Sequence, residues 1–363
     1  MSERPLHILH LLYEPHPSGI SRHVREVVRA LPDLRHSVIL PRQLVGVAED
    51  LRQAGAVAIK VPMRSRLLPS TALHVIPRLI RGADPDVVHL HALETGAFGT
   101  LAALLGGARR LVFTPQTTEI RLRQLLPIYE ALLRAAGLRI DAWIAVSRGQ
   151  ARHLGRLARA GTVHLVPNAA PGDRSLPERS EARRRLGWPA ERPVVVCVAR
   201  LAVQKDPLTF ARAAQGANGA LWVLVGDGPL RSEVEALART TPALRIQGHW
   251  DPIEDVYAAA DVLCLPSRWE GLSLALLSAM AHGLPVVASR IEGNVDVVQD
   301  GETGLLVEPG DAAALRAAAM GLLSDPQRAR RLAVAARARV QRDHSMGAIG
   351  ERLRAIYQGE ARS

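Results

Sequence analysis

Thirteen short runs of β-branched and aliphatic residues punctuate this chain, each followed by a longer stretch whose apolar residues recur at helical spacing. That rhythm belongs to βαβ units, which build parallel sheets covered by helices on both faces. In the first half, strands are expected at 6–13, 36–40, 57–61, 86–91, 110–114, 142–146 and 163–166. Between Pro167 and Pro193 the chain turns polar and rich in Pro and Gly, which reads as a hinge carrying a short charged helix. The rhythm then restarts, with strands expected at 194–199, 221–226, 244–248, 261–266, 285–289 and 304–308. The expected domains are 1–168 and 193–345, joined by 169–192. The tail from Asp311 to Tyr357 is helical by pattern, with breaks near Asp325–Pro326 and His344–Ser345, and its last piece, 346–363, is expected to pack back on the first domain. Two such halves imply an α/β architecture of two Rossmann-like domains facing a cleft. Ligands of open parallel sheets bind beyond the carboxyl ends of the strands, so residues just after strands carry the functional argument.

At 363 residues and 48% hydrophobic, the chain has enough apolar material for two cores of ordinary domain size. No apolar run approaches the ~20 residues that span a bilayer, and the first segment reads as a strand without a signal-peptide cleavage site, so a cytoplasmic location is expected. Cys197 and Cys264 lie in strand-like runs and read as buried, reduced thiols. A formal charge of +11 suits anionic partners of any kind. Nucleic acid is not expected among them, because the arginines are dispersed and aromatic residues make up 3%.

Several chemistries fall away on motif grounds. The two lysines, Lys60 and Lys205, do not close a phosphate-binding GxxxxGK[ST] loop. In VLVGDGPLRSEVE, Arg231 stands where a dinucleotide fingerprint needs its third glycine. HExxH, paired CxxC and GxSxG are absent. Asp84-Pro85-Asp86 has metal-site spacing but precedes its strand, on the side away from the ligand-binding end, and reads as a helix stop and strand start.

Two constellations remain. Arg200 and Lys205 follow the 194–199 strand, where paired cations can stabilise the charge that grows on a departing diphosphate. Pro266-Ser-Arg-Trp-Glu270-Gly-Leu-Ser joins the next core strand to an apolar helix through a glycine-bearing turn. The free N–H groups at such a helix start suit a phosphate, and glycine lets backbone approach it closely.

ARLAVQKDP, LVGDGPLRSEVE, DVYAAADVLCLPSRWEGLSLALLSAMAHGLPVVAS and DGETGLLVEPGD together resemble, in order and spacing, the retaining glycosyltransferases of the GT-B fold known as family four. The resemblance is dense over about 190 to 325 and looser before it, where SGISRHV, DVVHLHALETGAFG, VSRGQARHL and VPNAAP look like the family's landmarks. It implies sugar transfer from a nucleotide-diphosphate sugar to a glycan, lipid-linked or small-molecule acceptor, with retention at the anomeric carbon and with neither metal nor cofactor. Carried over by position, Gly19 would face the diphosphate, which Arg200 and Lys205 would bind. Glu270 would contact donor-sugar hydroxyls, and the backbone of Gly271, Leu272 and Ser273 would hold sugar and phosphate. Gly226 and Ser278 would complete the donor site, with Gly248 bordering the base. His91, Gln116 and Thr117 would shape the acceptor side, Gln116 near the reacting centre.

Three positions depart from the family pattern. Ser278 replaces the second of two glutamates spaced eight apart, which removes the usual carboxylate grip on the ribose. Gln116 replaces a histidine, exchanging a titratable ring for a neutral amide. Ser18-Gly19 keeps the second glycine of the first loop. The first two departures motivate an alternative, a weakened or inactive relative acting as a binding partner; a sugar-nucleotide epimerase is another. The Arg/Leu-rich stretches 64–82 and 120–140 suggest peripheral contact with the anionic inner face of a membrane, against the alternative of core-facing helices with a solvated arginine face.

Overall fold

The computed structural model describes residues 4–13, 19–63, 71–116, 126–159, 161–170 and 175–360. The chain forms two units, Met1–Ala169 with Met346–Ser363, and Ala170–Ser345.

The first unit holds strands β1 (His7–Leu11), β2 (Arg35–Pro41), β3 (Val57–Val61), β4 (Val87–His91), β5 (Arg110–Thr114), β6 (Ala142–Ala145) and β7 (Val163–Leu165). All pairings are parallel, in the order β3-β2-β1-β4-β5-β6-β7. Its helices are α1 (Gly19–Ala30), α2 (Val45–Gln53), α3 (Ile76–Ala83), α4 (Gly96–Leu105), α5 (Leu126–Gly137) and α6 (Arg148–Leu154).

The second unit holds α7 (Arg179–Leu186), β8 (Val194–Val198), α8 (Pro207–Ala214), β9 (Leu221–Val225), α9 (Arg231–Ala238), β10 (Leu244–Gly248), α10 (Ile253–Ala259) and β11 (Val262–Leu265). It continues through α11 (Leu274–Ala281), β12 (Val286–Ser289), α12 (Asn294–Val297), β13 (Leu305–Val307), α13 (Ala312–Ser324) and α14 (Pro326–Asp343). Its parallel sheet runs β10-β9-β8-β11-β12-β13. Helix α15 (Met346–Gln358) belongs to the first unit and packs on α1.

Both sheets are buried on both faces, which is why their strands read as apolar runs. Period-two alternation sends Leu9, Leu11, Val88 and Leu90 to one side of the first sheet, with Ile76 and Ile80 of α3 and Ala102 and Ala103 of α4. On the other side, Ile8 and Val87 meet Val27 and Leu31 together with Ile349, Leu353, Ile356 and Tyr357 of α15. In the second sheet, Val195, Cys197, Trp222 and Cys264 pack against Phe210, Leu315, Leu322 and Leu332. Both thiols are fully buried, and burial pushes Cys197 up to about 12 and Cys264 well above its usual range.

Local chemistry sets the breaks. Asp325 caps α14, with Pro326 in its first turn, where a missing N–H costs nothing. Asp84 closes α3 in the left-handed region, and the Asp86 carboxylate accepts the His7 backbone N–H at 2.9 Å while pairing with Arg4 and Arg109. The acidic pair therefore ties a helix end to the start of the sheet. The charged helix inside the 169–192 stretch, α7, belongs to the second unit and packs on α10. Its buried Arg183 donates to the Ala259 carbonyl at 3.0 Å and pairs with Asp261 at 2.9 Å.

Candidate active site

In each sheet the strand order reverses beside the first strand of the unit, between β1 and β4 and between β8 and β11. Such reversals leave a crevice at the carboxyl edge because flanking connections leave in opposite directions.

At the β8/β11 reversal, Lys205 Nζ donates to Glu270 Oε1 at 2.5 Å, and Ser267 Oγ donates to the same oxygen at 2.7 Å. Glu270 is 5% exposed and Lys205 20%, so the carboxylate is held almost out of water by two donors. Two loops are laced together beneath the pair: the Arg268 N–H donates to the Gln204 carbonyl at 2.8 Å, Gln204 Nε2 to the Trp269 carbonyl at 3.2 Å, and Arg268 Nε to Asp206 at 2.9 Å. Asp206 also caps α8, accepting from the backbone and hydroxyl of Thr209. A single segment, 204–206, thus supplies both the cation and the anchor that fixes Glu270's loop.

Glycines fit backbone closely around this centre. A Cβ on Gly226, whose φ is +140°, would stand 2.1 Å from the Ala199 carbonyl oxygen, and one on Gly228 would stand 2.4 Å from that of Leu201. Gly293, at φ +88°, lies so near the Gly271 carbonyl that a Cβ would come within 2.3 Å of it. Gly248, at φ +75°, has its carbonyl 2.6 Å from the Gly226 N–H. Ser273 caps α11, Gly271 and Leu272 are buried just before it, and Ser278 is buried within it. Arg200 is exposed directly after β8. Arg200, Lys205, Gly226, Gly248, Glu270, Gly271, Leu272, Ser273 and Ser278 therefore all sit at or just beyond the carboxyl edge of the second sheet, or on the helix that leads from it.

The first unit's reversal has a different composition. Side chains of His10 on β1, His36 on β2, and His89 and His91 on β4 gather on one face of the sheet, all at most 3% exposed. His10 Nδ1 lies 3.0 Å from His91 Nε2, and His10 Nε2 3.2 Å from His36 Nδ1. His36 Nε2 is 3.0 Å from the Leu31 carbonyl. His89 sits 2.8 Å from the Tyr357 hydroxyl and 2.7 Å from that of Thr114. Burial is the main cause holding the pKa of His10, His89 and His91 well below the usual imidazole range, with neighbouring imidazoles adding to it. His23 of α1 is lowered by burial to about 4.

Ring nitrogens of His10, His89 and His91 lie within 4.8 Å of one another, close enough to share a cation. Five of their six nitrogens are already in hydrogen bonds within the protein, so a metal would have to displace that network.

The chain turns sharply after these strands. Ala92 follows β4 at φ 72°, ψ 150°, and Gln116 follows β5 at φ 65°, both unusual for residues with a Cβ. Ala92 is held there because its N–H donates to the Thr114 carbonyl at 3.0 Å and its carbonyl accepts from Thr95 Oγ1 at 2.8 Å. Among the described residues, His91 Nδ1, His23 Nδ1 and Gln116 Nε2 are buried without hydrogen-bond partners. Gly19 opens α1, exposed. Thr117, Ser18 and the 64–70 and 120–125 parts of the two basic stretches lie outside the described residues. Among the described residues, no helix is long and apolar enough to cross a membrane.

Sequence reasoning named His91 but not His10, His36, His89, Tyr357, Ser267 or Asp206. The His-x-His spacing on β4 was a usable signal, since alternation puts both rings on one face. Their partners depend on β1 lying between β2 and β4, which spacing alone does not reveal.

Residues 192–325 match the family described as Glycosyl transferases group 1, and residues 17–174 match Glycosyltransferase Family 4. A GDP-mannose-dependent alpha-(1-6)-phosphatidylinositol monomannoside mannosyltransferase of Mycolicibacterium smegmatis is 30% identical over 356 residues, covering 90% of this chain and 91% of that protein. A 2-deoxystreptamine N-acetyl-D-glucosaminyltransferase of Streptomyces fradiae is 35% identical over 284 residues, covering 69% of this chain and 66% of that one. Among solved structures, HepE of Anabaena in complex with UDP and glucose superposes with a TM-score of 0.85 at 20% identity, covering 97% of this chain and 99% of that one.

Proposed function

The chain belongs to glycosyltransferase family 4, with the two Rossmann-like halves of the GT-B fold, and from that premise we propose that it moves a sugar from a nucleotide-diphosphate donor to an acceptor hydroxyl with retention of anomeric configuration and without a metal. The observation that carries this reading is the Lys205–Glu270–Ser267 group at the β8/β11 reversal.

Charge on the departing diphosphate grows as the sugar–oxygen bond breaks. Lys205 uses one of its three N–H donors on Glu270 and has two others to offer a phosphate. Arg200 adds a second cation, and the N–H groups at the start of α11 add dipoles that favour an anion. Glu270 accepts from sugar hydroxyls; its buried carboxylate is oriented by Lys205 and Ser267. The proton released by the acceptor passes to the departing phosphate, which needs no titrating base and accommodates an amide at Gln116. Ser278 makes a weaker ribose contact than a carboxylate would. Gly226 and Gly248 leave room for the nucleotide beside backbone, and Gly19 contributes an N–H from the start of α1. His91 and Gln116, with Thr117, address the acceptor.

The mannosyltransferase relative named above uses GDP-mannose and a phosphatidylinositol mannoside. A guanine nucleotide and a lipid-linked acceptor reached from a membrane surface are accordingly the first candidates here.

The test is thermal stability with UDP, GDP, ADP and their sugars, in the wild type and Lys205→Ala. A bound donor at ~100 times its dissociation constant stabilises by about 2.7 kcal/mol. One base family is expected to give this shift in the wild type and lose it in the variant, with sugar transfer unaffected by a chelator. No shift with any nucleotide would overturn the reading.

A further inference from the structure

A neutral imidazole carries one proton and one lone pair, so a string of them has two self-consistent settings, and a fixed end selects one. The string in the first unit has such an end. The Leu31 carbonyl, 3.0 Å from His36 Nε2, can only accept. His36 therefore keeps its proton on Nε2 and turns a lone pair on Nδ1 toward His10. His10 Nε2, 3.2 Å away, must donate to it, which leaves His10 Nδ1 as an acceptor. His91 Nε2, 3.0 Å from that atom, donates in turn. One atom remains: His91 Nδ1, a bare lone pair, buried and without a hydrogen-bond partner among the described residues.

The geometry points to His10 and His36 as positioning residues: we propose that their relay holds His91 as the Nε2–H tautomer, so that its Nδ1 accepts a hydrogen bond from a hydroxyl of the acceptor substrate. This rests on the transferase reading above. A bare nitrogen is answered by a group that donates, which a polyol hydroxyl does and a carboxylate or phosphate does not. Gln116 Nε2, also buried and unpartnered, stands just past the end of β5, which pairs with β4. The two strand ends thus offer a lone pair and an N–H, the complements of a hydroxyl's proton and oxygen. Ala92, held in a conformation that costs a non-glycine residue, fixes the backbone directly after His91. Burial keeps all three relay rings from taking up a second proton near neutral pH.

Long-range proton–nitrogen spectra of protein labelled with [15N]histidine read the tautomer directly, the His91 signals being those lost in His91→Asn. The expected result is a pyridine-type Nδ1 and a pyrrole-type Nε2. A pyrrole-type Nδ1 overturns the relay, and this needs no variant of the relay itself. In His36→Phe the anchor is gone, the two settings of the His10–His91 pair become equivalent, and His91 shows a mixed population with protons on Nδ1 and on Nε2. The acceptor KM then rises about twofold, because about half of the molecules lose the accepting nitrogen, while donor affinity is unchanged. His36→Gln, whose amide keeps a donor and an acceptor, holds both the tautomer and the acceptor KM near wild type. An Nδ1–H population with unchanged acceptor KM overturns the proposal. Tautomer and donor affinity are both read without turnover, so failure of the relay and failure of the transferase reading show separately.

Discussion

At the β8/β11 reversal the second unit gathers an ammonium, a carboxylate and turns that admit only glycine; at the β1/β4 reversal the first unit gathers four neutral imidazoles and two strained non-glycine turns. The topology is shared and the chemistry is not. An ion pair marks the second unit's reversal, the site proposed for a diphosphate, and uncharged rings mark the first unit's, the site proposed for a hydroxyl. A parallel-sheet reversal supplies a place, and the residues just past the strands decide what that place can bind.

The contrast breaks most sharply at Glu270. Glu270→Ala removes the carboxylate that the second site is built around and strands the Lys205 ammonium. Transfer is expected to fall about 1000-fold, equivalent to about 4 kcal/mol of transition-state stabilisation. His91→Asn is expected to act chiefly through the acceptor KM. Steady-state kinetics with both substrates varied separates the two, and equal losses in both parameters for both variants would erase the distinction.

Next in size is the backbone. Gly226→Ala forces a methyl to within 2.1 Å of the Ala199 carbonyl at a φ of +140°, and is expected to destabilise by about 3 kcal/mol in urea unfolding. Gly46, inside α2, where an added methyl would meet nothing within 4 Å, serves as the control. Gly46→Ala is expected to stabilise by about 0.5 kcal/mol or slightly more.

Acid acts gradually and bears on the first unit. His23 titrates near 6.5 when unfolded and at about 4 when folded, so the unfolded chain binds more protons between those values. The stability contribution is complete above about pH 6.5 and falls toward pH 4 by about 1.4 kcal/mol per pH unit for each such histidine. His10, His89 and His91, also lowered by burial, act in the same direction. Hydrogen exchange followed from about pH 7 to about pH 5 should therefore open β1 and β4 before β8 and β11. The reverse order would show that the histidine face does not control acid stability.

The repeating pattern was legible because most strands are buried runs rich in apolar residues; all thirteen runs became strands, with ends displaced by at most two residues. The second unit's candidate site was legible in part: Lys205 and Glu270 stood out in the sequence, while Ser267 and Asp206, which hold them in place, did not. Its residues lie in short segments whose spacing reflects a turn: Asp206 followed by Pro207, Glu270 by Gly271, Ser273 at the start of α11. The Lys205–Glu270 contact bridges 65 positions, yet each partner announced itself by standing after a strand. The first unit's relay was not legible. His36, His10 and His91 come from three strands whose neighbours are set by the whole sheet, and the tautomer is fixed by the Leu31 carbonyl, which any residue could have supplied. Tyr357, which meets His89, lies 268 positions away.

That last contact sets a schedule for synthesis. A chain made from its amino end exposes β1, β4 and α1 long before α15 leaves the ribosome, because Ala170–Ser345 is translated in between. Until then Ile8, Val27, Leu31 and Val87 lack Ile349, Leu353 and Ile356, and the His89 ring lacks its phenol. The second unit, continuous in sequence, can finish folding first. The half that begins first is completed last, so its apolar face is the nascent chain's period of greatest exposure to aggregation.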